Sequence, residues 1–261
     1  MAVDPYAAPK SRVADVPKAA PDGEFVAKGR TVAAGNGWTW ITQAWGLITG
    51  HKGPWIGLFF ILAVIVIALN LVPLIGPLVL VLVTPVLYGG VMLGCDTLRN
   101  GGDLKVGHLF AGFGGHAGRL IGVGAATLAA FIGVFVVVMF IFGIDMARMM
   151  MGAQPSPEQM QAMGLGVLLV PLIILALGVP VYMALWFATP LVVLNDFGVG
   201  EALMASFSVC LGNMLPFLVF GGAFFLLAIV ASVPLMLGWL LLGPVLLACV
   251  YTGYRDIFYQ H

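Results

Sequence analysis

Long apolar runs separated by short polar or proline-containing connections make up most of this chain. Six runs are near the length of about 20 residues that a helix needs to cross the hydrocarbon core of a bilayer. They cover residues 55–72, 76–94, 120–144, 164–191, 215–233 and 237–254. An unpaired backbone amide in lipid costs several kcal/mol, so each run is predicted to be a transmembrane helix. The fold class is therefore an all-α membrane protein with six spans.

Three shorter segments, one before each pair of runs, are amphipathic at helical period. Their apolar positions are Trp38, Ile41, Trp45 and Ile48; Val106, Leu109, Phe110, Phe113 and Ala117; and Leu203, Phe207, Cys210 and Met214. Spacings of three and four residues place each set on one face of a helix. Such helices are predicted to lie in the membrane interface with their apolar faces towards the lipid.

A proline recurs in similar surroundings near the end of each pair of runs. The three copies are Thr84-Pro85-Val86-Leu87, Thr189-Pro190-Leu191-Val192 and Gly243-Pro244-Val245-Leu246. We predict three repeats, at about 37–96, 104–196 and 198–256, each with one interfacial amphipathic helix and two spans. Because proline lacks a donor and frees a carbonyl one turn earlier, Pro85, Pro190 and Pro244 are candidate hinges. The alternative is that they only kink helices for packing.

Composition agrees with a bilayer environment. Hydrophobic residues make up 61% of the 261 residues and charged residues 8%, whereas a soluble domain carries about 25% charged residues. Residues 1–35 are different, because they are rich in Ala, Pro, Lys and Asp and lack apolar periodicity. They are predicted to form a disordered cytoplasmic tail, with 36–261 forming the polytopic membrane domain. The tail contains no apolar core typical of a cleavable signal.

Basic residues fall almost entirely on one side of the six predicted crossings. Ten of the eleven share that side: Lys10, Arg12, Lys18, Lys28, Arg30, Lys52, Arg99, Lys105, Arg119 and Arg255. Only Arg148 lies on the other side. By the positive-inside rule, both termini are predicted to be cytoplasmic.

Several short motifs resemble a known family. They are Gly35-Asn36-Gly37-Trp38-Thr39-Trp40-Ile41, Pro73-Leu74-Ile75-Gly76-Pro77 and Leu109-Phe110-Ala111-Gly112-Phe113. They resemble a family of proteobacterial six-span integral membrane proteins of unknown function, over residues 35–256. More loosely, the layout is similar to the membrane domain of some glycerophosphodiester phosphodiesterases, without their catalytic domain. The resemblance implies a bacterial inner-membrane location and this architecture, and it supplies no substrate or catalytic residue.

Charged residues gather at the predicted cytoplasmic ends of the even-numbered spans or just beyond them. They are Asp96, Arg99, Asp103, Asp196, Glu201, Arg255 and Asp256. They form either a ligand site for a polar headgroup or a set of anchors that mark where lipid stops. The predicted spans contain no ionisable residue between their ends, which disfavours a proton or sodium pump.

Other residues point to packing and to the membrane surface. Trp38, Trp40, Trp45 and Trp55 are candidate interfacial anchors, because indole rings prefer the headgroup level. Cys95, Cys210 and Cys249 lie in or beside apolar stretches and are interpreted as buried, inert thiols. The pattern Gly90-x-x-x-Gly94 is typical of close helix contacts.

The sequence contains no motif for catalysis. We find no Ser-His-Asp set, paired carboxylates, phosphate-binding glycine loop or zinc signature in a workable context, so no enzyme activity, cofactor or metal is predicted. The net charge of zero gives no basic field for nucleic acid. We expect a non-catalytic scaffold or accessory subunit that contacts membrane lipids or another membrane complex. The alternative is a transporter or channel for a small apolar or amphipathic solute.

Overall fold

The structure is a computed structural model that describes residues 23–151 and 157–260. Its regular elements are β1 (Glu24–Phe25), α1 (Asn36–Thr49), α2 (Lys52–Asn70), α3 (Ile75–Arg99), a 3-10 helix (Val106–Phe113), α4 (Ala117–Met150), α5 (Pro157–Trp186), α6 (Ala188–Asn195), α7 (Val199–Gly212), α8 (Met214–Ser232), α9 (Trp239–Phe258) and β2 (Tyr259–Gln260). Helices dominate the described part of the chain, so the predicted all-α class is confirmed.

Six segments of the described residues are long and apolar enough to cross a membrane. They are Lys52–Asn70, Ile75–Arg99, Ala117–Ile141, Leu169–Asn195, Met214–Ser232 and Trp239–Phe258. These match the six predicted apolar runs in order and approximate position. The prediction of six candidate spans is therefore confirmed.

The helices α3 and α9 form the centre of the bundle. Helix α3 packs against α2, the 3-10 helix, α4, α6 and α9, and α9 also packs against α1 and α8. Their inner faces carry fully buried side chains such as Leu87, Tyr251 and Tyr254. The span in α4, in contrast, has few fully buried residues. Lipid therefore has to cover most of α4, while α3 and α9 are covered mainly by protein.

Gly90 allows the 3-10 helix to lie directly on α3. A Cβ atom added to Gly90 would be 2.2 Å from the carbonyl oxygen of His108 and 2.5 Å from that of Leu109. Both distances are far below van der Waals contact, and the atoms belong to the backbone. Glycine is therefore the residue that permits this approach, as the Gly90-x-x-x-Gly94 pattern indicated.

Helix α1 packs two residues of its predicted apolar stripe, Ile41 and Ile48, against the protein, although the stripe was predicted to face the lipid. Its buried residues are Gly37, Trp40, Ile41, Ala44 and Ile48, and this face packs against α8 and α9. Trp38 and Trp45, which were predicted to share the apolar stripe, are about half exposed, at 50% and 46%. The buried face is rotated relative to the predicted stripe because α1 has two apolar neighbours, the rest of the protein and the lipid. Periodicity does not distinguish a side chain that faces one from a side chain that faces the other.

The second amphipathic segment is a 3-10 helix rather than an α-helix. Leu109 and Gly112 are buried, three residues apart, as the period of a 3-10 helix requires. Phe110 and Phe113, which were predicted to share an apolar face with Leu109, are 48% exposed. The glycines of this segment weaken α-helix formation, and the contact with α3 selects the tighter form.

The third amphipathic segment is helix α7, again with a shifted face. Ala202, Ser206, Val209 and Cys210 are buried. The predicted stripe shares only Cys210 with this set. Ser206 is acceptable on the inner face because its hydroxyl donates to the carbonyl oxygen of Met183, 2.6 Å away.

Residues 23–35 pack against the end of the chain, although the sequence analysis included them in a disordered tail. Strand β1 pairs antiparallel with β2, with Glu24 opposite Gln260 and Phe25 opposite Tyr259. The amide of Arg30 then donates to the carbonyl oxygen of Ile257 at 2.9 Å. The partners are more than 200 positions away, so local periodicity carries no trace of this pairing. The rest of the predicted tail, residues 1–22, lies outside the described residues.

Candidate functional site

A polar cavity at one end of the bundle contains three of the seven charged residues singled out from the sequence. Its volume is about 330 Å³, and we call it the polar cavity. It is lined by Gln43, Gly46, Leu47, Arg99, Tyr251, Thr252, Arg255 and Asp256. These residues come from α1 and from the C-terminal ends of α3 and α9. The cavity therefore lies where two central spans leave the hydrocarbon region.

Asp256 accepts several hydrogen bonds at the edge of this cavity. Its carboxylate accepts hydrogen bonds from Arg30 at 3.0 Å, from the side-chain amide of Asn36 at 2.7 Å and from the indole of Trp40 at 2.8 Å. The backbone carbonyl of Asp256 accepts a further bond from Arg30 Nε at 2.8 Å. The negative charge is thus matched by one guanidinium and two neutral donors.

The two arginines of the polar cavity are held in place by the protein. Arg255 is buried, and its guanidinium carbon lies 3.5 Å from the ring centroid of Tyr259, which is a cation–π contact. Arg99 and Arg255 each have a further interaction within the protein, so neither is free. Nearby, Tyr251 donates its hydroxyl to the carboxylate of Asp96 at 2.8 Å. Asp96 therefore adjoins the cavity without lining it.

The other predicted charged residues lie elsewhere. Asp196 receives hydrogen bonds from Arg119 at 2.7 Å and from His116 at 3.0 Å. Both bonds lower the pKa of the Asp196 carboxyl, and the bond from Arg119 has the larger effect. Glu201 accepts a hydrogen bond from the amide of Gly198 and so caps α7. Asp103 is exposed on the connection after α3. The predicted cluster is thus divided among separate positions.

A second, larger cavity lies between the spans, and we call it the central cavity. Its volume is about 480 Å³. It is lined by Val81, Thr84, Pro85, Tyr88, Val123, Thr127, Phe131, Tyr182, Leu185, Trp186, Thr189, Leu246, Leu247 and Val250. Helices α3, α4, α5, α6 and α9 all contribute. The described lining residues are mainly apolar, with a few hydroxyl groups and no charge.

The three candidate hinge prolines lie in or beside the wall of the central cavity. Pro85 lines it, Pro190 follows the lining residue Thr189, and Pro244 precedes Leu246 by two positions. Helices α3 and α9 continue through Pro85 and Pro244. Helix α5 instead ends at Trp186 and α6 begins at Ala188. Pro190 explains this break, because it cannot donate to the carbonyl of Trp186 and its ring clashes with that group.

Two of the four predicted interfacial tryptophans are interior residues. Trp40 and Trp55 are 1% and 0% exposed. The indole of Trp55 donates to the carbonyl oxygen of Leu47 at 3.3 Å, while that of Trp40 reaches Asp256. These two side chains therefore stabilise the protein interior and do not anchor it in the headgroup region. Trp38 and Trp45 have the exposure that such an anchor needs.

The described histidines and cysteines form no metal-binding cluster. Within residues 23–151 and 157–260, no three His, Cys, Asp or Glu side chains are close enough to share a metal ion. His108 accepts a hydrogen bond from the amide of Lys105 at 2.9 Å, and His116 contacts Asp196 at 3.0 Å. Cys95, Cys210 and Cys249 are free and buried. Burial raises the pKa of the Cys210 thiol to about 12.

Several residues that line the two cavities carry no distinctive signal in the sequence. Gln43, Tyr251 and Thr252 line the polar cavity, and Thr127 and Tyr182 line the central one. All five lie in helices whose composition resembles that of their neighbours. Their only shared signal is a polar atom on a predominantly apolar segment, which also describes many residues that line no cavity.

Comparison with known proteins identifies one informative relative. The chain is similar to a probable inner membrane protein of Burkholderia thailandensis, with 28% identity over 208 residues, 77% of this chain and 76% of the relative. No family model matches the chain, and no solved structure matches it. The chain is an integral inner-membrane protein. The looser resemblance to the membrane domain of glycerophosphodiester phosphodiesterases stays a prediction, because none of these comparisons tests it.

Proposed function

We propose that this integral membrane protein is non-catalytic and binds one amphipathic, lipid-class molecule in the central cavity, acting as a lipid-binding scaffold or accessory subunit. The observation that supports this most directly is the cavity itself, about 480 Å³ within the membrane-spanning region. Ligand sites are commonly 300–1,000 Å³, mostly apolar, with a few polar groups that fix orientation. The central cavity has this size and this lining.

The hydroxyl groups of the cavity suggest the polar part of the occupant. Thr84 donates its hydroxyl hydrogen to the carbonyl oxygen of Leu80 at 2.6 Å, and Thr127 donates to that of Val123 at 2.9 Å. Each hydroxyl oxygen still has lone pairs that accept a hydrogen bond. No charged side chain is among the described lining residues. A largely apolar molecule with a neutral hydroxyl or amide donor fits these groups, whereas an ion does not.

The binding proposal is tested by filling the cavity. In Thr127→Phe, the added ring is expected to occupy the space and to lower the amount of co-purifying amphiphile several-fold. The measurement is mass spectrometry of organic extracts from protein purified in mild detergent. Ile132→Phe is the matched control, since Ile132 lies in the same helix, is 53% exposed and does not line the cavity. Equal retention by wild type and Thr127→Phe, or no bound amphiphile in wild type, contradicts the proposal.

The break in the helix beside the cavity favours transport as a second candidate function. Trp186 and Thr189 both line the cavity, and the break at Phe187 lies between them. Transporters use discontinuous helices at midplane binding sites. If the break is a moving hinge, Pro190→Ala slows solute flux in proteoliposomes while the amphiphile stays bound. If the protein is only a scaffold, wild type shows no flux and Pro190→Ala retains the amphiphile.

We further propose the finer architecture, with three repeats and both termini in the cytoplasm. A short helix precedes each pair of spans, namely α1, the 3-10 helix and α7. The ten-to-one division of basic residues supports the orientation. Six crossings bring the ends to one side, in accord with the β1–β2 pairing.

Cysteine labelling tests this orientation. The native thiols are buried, so an impermeant maleimide is expected to leave the wild-type protein unlabelled. Lys52→Cys and Gln260→Cys should both react in inverted vesicles and not in intact spheroplasts. Asn70→Cys, at the far end of α2, should show the reverse. Labelling of positions 52 and 260 from opposite sides of the membrane contradicts an even number of crossings.

A further inference from the structure

The polar cavity has the chemistry of an anion site. It brings two guanidinium groups, Arg99 and Arg255, to one space of about 330 Å³ with the amide of Gln43. We infer that the polar cavity binds a phosphate-type anion, either the phosphodiester of an anionic lipid or a soluble phosphate. This site is separate from the central cavity, because the two lining sets share no residue.

The charge of the lining favours an anion. Arg99 and Arg255 are positive, and Asp256 is the one acidic residue among the described lining residues. That carboxylate is already paired with Arg30 at 3.0 Å and accepts two further hydrogen bonds, from Asn36 and Trp40. Its charge is therefore largely compensated from outside the cavity. The described lining residues therefore comprise two arginines and one aspartate that is already paired.

The arginines are arranged for hydrogen bonding to an anion. Arg255 is only 5% exposed, and the ring of Tyr259 at 3.5 Å fixes the plane of its guanidinium. Both arginines already engage the protein. A guanidinium nevertheless has five N–H donors, so one that contacts protein can still bind an anion. Its planar fork matches two phosphate oxygens, and a preorganised fork loses little entropy on binding.

The position of the cavity matches the depth of lipid headgroups. Arg99 is the last residue of the span Ile75–Arg99, and Arg255 lies in the last turn of the span Trp239–Phe258. Basic pockets between transmembrane helices at this level bind anionic headgroups. The cavity is also open at the polar end, where Gln43 is exposed, so a soluble phosphate reaches the same groups. The shared chemistry is a phosphate oxygen beside two guanidiniums.

The test uses the full-length protein in lipid nanodiscs. In one arm, native mass spectrometry measures enrichment of phosphatidylglycerol over phosphatidylcholine in the lipid that stays bound. In the other arm, isothermal titration with inorganic phosphate measures binding in nanodiscs of phosphatidylcholine alone. Arg99→Gln is expected to reduce enrichment or phosphate affinity about tenfold, since one charge-assisted hydrogen bond contributes more than 1.4 kcal/mol. Arg99→Lys keeps the charge but loses the fork, and it is expected to be intermediate.

Two further variants make the test independent of folding defects. Gln43→Glu changes an exposed residue of the rim, so the core is preserved, and its carboxylate should weaken binding several-fold. Lys105→Gln removes an exposed cation that does not line the cavity and should leave both arms unchanged.

The two arms distinguish the source of the anion. If the variants lose only phosphatidylglycerol enrichment, the anion is a lipid headgroup. If they lose only phosphate affinity, it is soluble phosphate. The assignment of the anion site to the polar cavity is wrong if folded Arg99→Gln and Gln43→Glu both bind like wild type in both arms. It is also wrong if Lys105→Gln binds as weakly as Arg99→Gln. If Arg99→Gln does not fold, Gln43→Glu alone decides. These results do not depend on whether the central cavity holds an amphiphile.

Discussion

Gly90→Ala is expected to lower the stability of the protein by about 3 kcal/mol, because overpacking at a contact between two backbones forces the helices apart. The new methyl group would lie 2.2 Å from the carbonyl oxygen of His108. Neither backbone can move without displacing the 3-10 helix from α3. In thermal unfolding of detergent-purified protein, we expect a clearly lower midpoint and a smaller monodisperse fraction.

Gly133→Ala is the matched control for this substitution. Gly133 lies in α4, and a Cβ added there meets no atom within 4 Å. Alanine favours a helix over glycine by up to about 1 kcal/mol, so this variant should melt at the wild-type temperature or slightly above. Identical melting of the two alanine variants would show that α3 and the 3-10 helix do not touch at Gly90.

Trp40→Ala is expected to be destabilising by about 3–5 kcal/mol, the usual cost of removing a buried aromatic side chain. Trp40 is 1% exposed, and its ring packs against Phe217 and Phe220 with centroid distances of 5.2 and 6.1 Å. The indole also donates to Asp256 at 2.8 Å. Trp40→Phe keeps most of the ring and removes this donor. We expect it to cost about 1–2 kcal/mol.

Trp38→Ala is the control, because Trp38 belongs to the predicted apolar stripe of α1 whereas Trp40 does not. Trp38 is 50% exposed, so its removal should change stability by less than about 0.5 kcal/mol. The three variants are compared by thermal unfolding under one detergent condition. If Trp38→Ala proves more harmful than Trp40→Ala, Trp40 is not the side chain that α1 buries against α8 and α9.

The six spans could be predicted from sequence because they depend on one quantity, continuous hydrophobicity over a length set by the bilayer. The orientation of α1 depends instead on a choice between two apolar neighbours. Trp40 and Trp38 are the same residue type, two positions apart, and only the location of α8 and α9 determines which of them is buried. The 3-10 helix was missed for a similar reason, since its contact with Gly90 comes from another segment.

The candidate sites were predictable as residue types but not as groupings. Charged residues at helix ends can be identified by their position after an apolar run. Which ends meet is a matter of helix packing, which joins Arg99 to Arg255 in one cavity and leaves Asp196 with Arg119. The prolines were likewise visible in sequence. The cavity beside them exists only through the relative placement of five helices.

The pairing of β1 with β2 has a consequence for biogenesis. The strand at Glu24–Phe25 is translated more than 200 residues before its partner at Tyr259–Gln260. During synthesis β1 therefore remains unpaired until the last span and the strand that follows it have been translated. The β1–β2 pairing and the ion pair between Arg30 and Asp256 can form only after all six spans have been translated. Their formation is therefore one of the last steps in the folding of the newly made protein.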